Sequence, residues 1–214
     1  MNTEAVCLEI ACLGKRYGSR WVFDNLSATI QQGETLVIAG PNGAGKSTLL
    51  RLLAGLEQPS AGTISYRVGK RRISPSQARQ ILGLVALDIR LYRELTALEH
   101  LRLFADLRGL SDDAAISGAL LERVGLAERA NDRVASYSSG MALRLKYALM
   151  LLHRPAILLL DEPTAMLDVG GRAMVAGLVE EQRERGIAII ATNDPRELAL
   201  GDYLLNLGVT GETS

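Results

Sequence analysis

A glycine-rich segment ending in Lys46-Ser47 is the part of the sequence whose residue types most directly indicate chemistry. Gly40–Ser47 reads GPNGAGKS, the G-x-x-x-x-G-K-S spacing of a phosphate-binding loop. The apolar segment Leu36–Ala39 precedes it, and the helix-forming segment Thr48–Ala54 follows it. Backbone N–H groups at glycines and the positive end of a helix dipole both attract an anion. Lys46 adds charge at the β- and γ-phosphates, and the Ser47 hydroxyl can hold Mg²⁺.

Two adjacent carboxylates, Asp161 and Glu162, follow a second apolar segment, Ala156–Leu160. An unbroken apolar run of this length predicts a parallel strand covered on both faces, and open α/β sheets bind ligands at the carboxyl ends of such strands. There Asp161 can hold Mg²⁺ while Glu162 orients and deprotonates an attacking water. Either acid alone could cap a helix, but the pair together with the phosphate loop favours nucleotide hydrolysis.

The elements that must position these groups follow an α/β pattern. Residues 4–39 read as short strands separated by Gly14, Gly18 and Gly33, and the last strand leads into the phosphate loop. From about residue 90 the pattern becomes helical, with a capping box over Thr96–Glu99. Strand signals resume at Ala156 and repeat at Ile187. The pattern predicts a P-loop NTPase fold: a doubly wound α/β sheet with an antiparallel N-terminal β part and an inserted α-helical subdomain.

The length and composition limit the possible functions. We expect one domain over residues 1–214, in which 1–88 and 153–214 form the nucleotide-binding core and 89–152 the helical subdomain. Lys plus Arg equals Asp plus Glu at 24 each, so no nucleic acid partner is expected. No apolar run reaches the roughly 18 residues of a membrane span. Because Met1–Glu4 does not resemble a secretion signal, we expect a cytosolic location, with Cys7 and Cys12 as reduced thiols.

Four segments give the chain a family resemblance over essentially its full length: it resembles the ATP-binding cassette ATPases. The phosphate loop reads GPNGAGKST, and Ile157–Pro163 reads ILLLDEP, like the Walker-B segment of that family. Ala165–Asp168 looks like the D-loop. Upstream, Tyr137–Met141 reads YSSGM and resembles the signature LSGGQ, of which the serine and the second glycine are kept. The distance between the Walker segments leaves room for the helical subdomain of the family.

The resemblance implies that ATP, with Mg²⁺, binds between two ATPase subunits arranged head to tail, and we expect a homodimer. The signature residues that would cap the ATP of the other subunit are Ser138, Ser139, Gly140 and Met141. A hydroxyl, a backbone N–H and a helix N-terminus together suit a γ-phosphate. The resemblance further implies catalytic roles for Glu162, Lys46 and Asn193, metal binding by Ser47 and Asp161, and a D-loop role for Asp168.

At the base end of the site, Tyr17 in Lys15–Gly18 matches the aromatic residue that stacks on adenine. The alternative is an ordinary aromatic residue at a strand end. The residues that the resemblance implies in ATP binding are Tyr17, Gly40, Pro41, Asn42, Gly43, Ala44, Gly45, Lys46, Ser47 and Thr48.

Two accessory residues of the family are replaced. Asn193 stands where the family usually has a histidine that touches the γ-phosphate, and Leu87 aligns with a glutamine that senses Mg²⁺ and water. Asp88 could take that role only if the loop shifts by one residue. His100 and His153 do not fall at the histidine position, and we expect them to be structural or exposed on the helical subdomain. The replacements predict ATP binding and dimer closure with slow or partner-dependent hydrolysis.

The function implied by the resemblance is that of a nucleotide-binding subunit of an ABC transporter. Such a subunit lies peripherally at the cytoplasmic face of the membrane and couples MgATP binding, dimerisation and hydrolysis to movement of separately encoded transmembrane subunits. The Leu95–Leu101 segment and the YSSGM signature also look like small exporter ATPases, including the cytochrome c biogenesis haem-exporter type. The open alternative, suggested by Asn193 and Leu87, is an ATP-binding regulatory or interaction protein with little turnover.

Overall fold

The structure is a computed structural model that describes residues 4–111 and 113–208. Internal contacts divide the chain into two compact units. The first contains residues 4–84, 156–163 and 178–208, and the second contains residues 85–111, 113–155 and 164–177.

The contact-based units differ from the predicted core and helical subdomain in three segments. Residues 85–88, 153–155 and 164–177, which the prediction assigned to the core, belong to the second unit. The predicted boundaries after residues 88 and 152 stay a prediction. The prediction that Met1–Glu4 is not a secretion signal concerns mainly residues 1–3, which lie outside the described residues.

The chain begins with three strands, and helices without an intervening strand occupy its middle part. The strands are β1 (Val6–Tyr17), β2 (Arg20–Gln31), β3 (Thr35–Ala39), β4 (Ala61–Val68), β5 (Arg71–Ile73), β6 (Leu82–Val85), β7 (Ile157–Asp161), β8 (Ile187–Thr192) and β9 (Tyr203–Asn206). The helices are α1 (Lys46–Leu53), α2 (Pro75–Ile81), α3 (Ala97–Leu107), α4 (Ala114–Arg123), α5 (Ser139–Leu151), α6 (Val169–Arg183) and α7 (Pro195–Leu198). Short 3-10 turns cover Ala127–Arg129 and Val134–Ser136.

An antiparallel sheet in the first unit has the strand order β2-β1-β4-β5. The prediction that Gly14 separates two strands is wrong, because β1 continues through it and Gly14 pairs with Ala61 of β4. The pairing register between β1 and β2 shifts on either side of Leu13, as at a β-bulge, and the strand continues through this irregularity. Gly18 and Gly33 do lie in turns, as predicted.

The second sheet of this unit carries the catalytic candidates, in the order β6-β7-β8-β3-β9. Strands β7, β8, β3 and β9 run parallel. The apolar residues of β7 and β8 and residues Leu36–Ile38 of β3 are buried, as expected for strands covered on both faces. Ala39 pairs with Thr192, and Asp161 pairs with Ala191, so the carboxyl ends of these three strands meet at one edge. The predicted doubly wound sheet with an antiparallel N-terminal part is confirmed.

The second unit contains α3, α4, α5 and the first part of α6, and the predicted helical insertion is confirmed. The capping box is present: Thr96 Oγ1 accepts from the Glu99 N–H at 3.2 Å, and Glu99 Oε2 accepts from the Thr96 N–H at 2.7 Å. Asp113 is the N-cap of α4, and its side chain accepts from the N–H groups of Ala115 and Ile116. Within residues 4–111 and 113–208, no helix is both long and apolar enough to cross a bilayer.

Candidate nucleotide site and family membership

The glycine-rich loop connects the end of β3 to the start of α1, in the order that the sequence predicted. Gly45 is the residue before α1 and has φ of +100°, a left-handed conformation that favours glycine. A Cβ at this position would also collide with Val22 Cγ1. The first turn of α1 has no side-chain cap and no acidic residue. Its backbone N–H groups are therefore suited to an anion.

Lys46 is largely buried at the start of α1, with 6% of its surface exposed. Its ammonium donates to the carbonyl oxygens of Gly40 at 2.8 Å and Pro41 at 3.4 Å. It also lies 3.6 Å from Glu162 Oε1. The lysine charge is thus held inside the loop, next to the acid that follows β7.

Glu162 follows β7 in an uncommon backbone conformation, with φ of +48°. Its N–H donates to the Ala191 carbonyl at 2.8 Å, which ties it to β8. Burial raises the pKa of the Glu162 carboxyl, and Lys46 and a backbone hydrogen bond from Asn193 offset part of that rise. A carboxylate with a raised pKa is a stronger base, which suits it to accept a proton from water.

Asp161 and Ser47 carry the oxygen atoms that the sequence predicted as ligands of Mg²⁺, and their metal binding stays a prediction. Asp161 is the last residue of β7, and Ser47 lies in the first turn of α1. Both belong to the first unit. Mg²⁺ bound with a nucleotide needs only one or two protein oxygens, because phosphates and waters complete its coordination. A hydroxyl and a carboxylate therefore fit this ion.

Asn193 follows β8 and contacts the phosphate loop directly. Its Nδ2 donates to Asn42 Oδ1 at 2.8 Å.

The two histidines of the chain, His100 and His153, lie elsewhere, in the second unit. His100 is completely buried, its Nδ1–H donates to the Thr96 carbonyl at 2.8 Å, and its Nε2 accepts from the Tyr92 N–H at 3.0 Å. Burial and two hydrogen bonds to the backbone indicate a structural role for His100.

A cavity of about 710 Å³ brings the phosphate loop together with Tyr17 and Glu162. Its lining residues are Tyr17, Arg20, Trp21, Val22, Asn42, Gly43, Gly45, Lys46, Ser47, Thr48 and Glu162. The sequence reasoning did not identify Arg20, Trp21 and Val22. The turn at Gly18-Ser19 was the available signal, because it folds β2 back so that Arg20 pairs with Tyr17.

The segment that resembles the family signature lies in the second unit, at the start of α5. Ser138 is the N-cap of this helix, and its Oγ accepts from the Met141 N–H at 3.2 Å. Ser139 and Gly140 lie in the first turn. A Cβ on Gly140 would approach the Met166 carbonyl to 2.9 Å, so only glycine allows these backbones to lie so close.

Asp168, the predicted D-loop residue, is connected to α5 by an arginine that the sequence reasoning missed. Arg144 Nη2 donates to Asp168 Oδ1 at 2.6 Å, and Arg144 Nη1 donates to the Val124 carbonyl at 3.0 Å. The same Asp168 oxygen accepts from the Gly171 N–H at 2.8 Å. The Gly171 N–H and then Arg144 lower the pKa of the Asp168 carboxyl.

Leu87 and Asp88 are both exposed, and Leu87 has no polar side-chain atom with which to bind water or a metal. The backbone around Leu87 is held by Lys146 of α5. Its ammonium donates to the carbonyls of Ala86 at 2.9 Å and Leu87 at 2.8 Å. Burial lowers the pKa of Lys146, and the charge of Asp88 offsets part of this shift. The segment is therefore ordered by a side chain that the sequence reasoning did not consider.

Sequence comparison identifies the family to which these features belong. Residues 23–165 match the family described as ABC transporter, a range that includes the phosphate loop and the Asp161-Glu162 pair. The chain belongs to the ABC transporter family. The resemblance inferred from the motifs is thereby confirmed.

Curated ABC transporter ATP-binding proteins match along most of this chain. A linearmycin resistance ATP-binding protein of Bacillus subtilis (strain 168) is 35% identical over 191 residues, which are 87% of this chain and 60% of that protein. An aliphatic sulfonates import ATP-binding protein of Yersinia pestis is 39% identical over 201 residues, covering 92% and 71%. The chain spans about three fifths of the length of the Bacillus protein.

Solved ABC transporter structures share the fold. The ATP-binding subunit of an ABC transporter superposes with a TM-score of 0.82 at 29% identity, covering 94% of this chain and 85% of that chain. A bacterial Atm1-family ABC exporter with ATP bound has a TM-score of 0.80 at 24% identity, covering 97% and 37%. At that identity the second likeness concerns the fold alone.

Proposed function

We propose that this chain is the ATPase subunit of an ABC transporter, coupling MgATP binding, head-to-tail dimerisation and hydrolysis to movement of separate membrane subunits. The observation that carries the proposal is the position of Lys46, 3.6 Å from Glu162, in a phosphate loop that borders the cavity. The cavity volume of about 710 Å³ is within the range of small-molecule sites, about 300–1,000 Å³. The relatives with import and resistance names support a role in transport. In the proposed role the subunit lies at the cytoplasmic face of the membrane.

The chain would contact ATP at both ends of the nucleotide, the base and the phosphates. Tyr17 provides an exposed aromatic ring for the base, and the loop from Gly40 to Thr48 provides backbone N–H groups for the phosphates. The charge of Lys46 complements the β- and γ-phosphates. Ser47 and Asp161 would hold Mg²⁺, which supplies positive charge to the phosphate oxygens when it is bound.

Hydrolysis would depend on Glu162 as the general base. Its raised pKa favours proton uptake from the attacking water, and its backbone hydrogen bond to Ala191 fixes it at the strand ends. Asn193 can donate a hydrogen bond to a phosphate oxygen but cannot carry a proton or a positive charge. Ser138, Ser139, Gly140, Met141 and Asp168 would act on the nucleotide of the second subunit.

The second candidate function is an ATP-binding regulatory protein with little turnover. Two observations favour it: Leu87 presents an exposed apolar side chain, and the Asn193 amide donates to Asn42. In this alternative the subunit binds MgATP and dimerises, and the bound nucleotide itself is the signal.

The two functions differ in turnover, which phosphate release from the purified chain measures directly. An ATPase should lose about 10²-fold or more of its rate in Glu162→Gln, since a general base contributes about 10²–10⁴-fold. Lys46→Ala should lose MgATP binding in calorimetry, while Lys70→Ala, at an exposed turn, is the control for loss of a positive charge. Tight MgATP binding with a wild-type rate equal to that of Glu162→Gln would favour the regulatory function. Unchanged affinity in Lys46→Ala would contradict the nucleotide site.

A further inference from the structure

The side chain of Tyr17 is held in place although 53% of its surface is exposed. Its hydroxyl donates to Glu57 Oε2 at 2.6 Å. The Lys15 ammonium lies 3.0 Å from the same carboxylate oxygen and 4.9 Å from the centre of the Tyr17 ring. A carboxylate at the hydroxyl and a cation over the ring therefore restrain the orientation of an otherwise exposed tyrosine.

The segment that carries Glu57 is hydrogen bonded to the end of β1. Lys15 Nζ donates to the Gln58 carbonyl at 2.9 Å, and the Arg16 N–H donates to Ser60 Oγ at 3.1 Å. The Ser60 N–H donates to the Gly14 carbonyl at 2.8 Å. Glu57 is consequently presented to Tyr17 by a fixed backbone.

The same segment follows α1, the helix that begins with Lys46. The Leu56 N–H donates to the Arg51 carbonyl at 2.9 Å, which joins the segment to the end of α1. Glu57 therefore links the phosphate-binding helix to the aromatic ring that lines the same cavity.

We propose that Glu57 is a positioning residue of the nucleotide site, which together with Lys15 orients Tyr17 so that one face of its ring is free to stack on the base. This inference rests on the proposed function, in which Tyr17 contacts the base. The bond between Tyr17 and Glu57 raises the pKa of the tyrosine and lowers that of the glutamate. At neutral pH the tyrosine therefore remains a donor and the glutamate a charged acceptor.

Loss of Glu57 should weaken the binding of a nucleotide but not the binding of its phosphates alone. Without it, Tyr17 must lose side-chain freedom on binding, a cost that corresponds to about three- to tenfold in affinity. We therefore expect Glu57→Ala to raise the dissociation constant of MgATP by about three- to tenfold. The dissociation constant of magnesium tripolyphosphate, which has no base, should stay unchanged.

Calorimetric titrations with both ligands test this, using Glu57→Ala, Glu57→Gln, Tyr17→Phe and Tyr17→Ala. Glu57→Gln keeps an acceptor oxygen and should recover most of the MgATP affinity. In a Tyr17→Phe background, Glu57→Ala should cause little further loss, because the hydrogen bond is already absent. Where turnover is measurable, Glu57→Ala should raise KM with little change in kcat.

The matched control is Glu34→Ala, which removes a second exposed Tyr–Glu hydrogen bond, from Tyr203 Oη to Glu34 Oε1 at 3.0 Å, away from the cavity lining. It should leave the affinities for both ligands unchanged.

Unaltered MgATP affinity in Tyr17→Ala would overturn the base site of the proposed function. If Tyr17→Ala weakens MgATP binding but Glu57→Ala binds MgATP with wild-type affinity, the positioning role of Glu57 is overturned and the base site of the proposed function stands. An equal loss of MgATP and tripolyphosphate affinity in Glu57→Ala would show a structural effect and would also overturn it.

Discussion

The Lys46 ammonium lies 3.6 Å from Glu162 Oε1, so the start of α1 and the end of β7 are linked by opposite charges. This ion pair does not determine the protonation behaviour of Glu162. Burial raises the pKa of the carboxyl by more than Lys46 lowers it, and the net shift is upward. The charged form of Glu162 therefore costs stability in the folded protein.

Glu162→Gln should stabilise the nucleotide-free protein at neutral and alkaline pH. Because the pKa of Glu162 is higher when folded than when unfolded, its favourable contribution is complete below the unfolded value of about 4.3 and is lost as the pH rises through the folded value. The Tm difference between Glu162→Gln and wild type should grow from about pH 4 to pH 8. A lower Tm of the variant at pH 8 would mean that the ion pair with Lys46 outweighs burial.

Asp168→Asn should change the Tm in the opposite direction to Glu162→Gln. The Gly171 N–H and Arg144 lower the pKa of Asp168, so its stabilising contribution is present above the unfolded value and is lost as the pH falls through the folded one. Asp168→Asn should therefore lower the Tm at pH 7, and this loss should shrink towards acidic pH. Melting curves from pH 3 to pH 8 measure both variants together.

Glu162→Gln should also accumulate as an ATP-dependent dimer. The variant loses the proposed base but keeps the phosphate loop and the signature segment, so bound ATP would persist between the subunits. Size-exclusion chromatography with MgATP should show a shift to twice the mass, and adding Ser138→Arg should abolish it by filling the N-cap of α5 with a bulky cation. A protein that stays monomeric at saturating MgATP would contradict the role assigned to the signature.

Asn193→His should raise the rate of ATP hydrolysis. One well-placed donor to developing charge is worth on the order of 10²-fold, and asparagine retains part of that bond, so the gain should be about tenfold or less. The MgATP dissociation constant should barely change, because the added interaction is stronger in the transition state. Single-turnover hydrolysis measures the effect. A slower variant would show that the site depends on the hydrogen bond between Asn193 and Asn42.

Lys146→Met should destabilise the second unit. It removes the charged donor to the carbonyls of Ala86 and Leu87 while keeping most of the aliphatic side chain. Hydrogen bonds to a charged group contribute about 1.5–3 kcal/mol, and partial exposure reduces this, so we expect about 1–2 kcal/mol less stability in urea unfolding. Lys146→Arg, which keeps donors, should lose less. Equal stability of Lys146→Met and wild type would show that solvent replaces the lysine.

The sequence by itself determined the features that depend on neighbouring residues. Three glycines before Lys46-Ser47 predict a loop, because glycine adopts the positive φ found at Gly45. The apolar run before Asp161 predicts a buried parallel strand, the run before the phosphate loop predicts a strand, and Thr96 with Glu99 predicts a capping box. Each of these patterns is complete within a few residues, so it can be interpreted without knowledge of the fold.

Only the tertiary structure decided the contacts between side chains that are far apart in the chain. Asn193 meets Asn42 across 151 positions, Arg144 meets Asp168 across 24, and Tyr17 meets Glu57 across 40. Such pairs have no sequence period, because they depend on strand register, on loop paths and on which rotamers the packing allows. Even Gly14, which looks like a strand break, remains within β1 because β2 and β4 pair with that strand on both sides and hold it extended. Local spacing thus encodes the backbone of the site, whereas long-range packing selects the side chains that orient it.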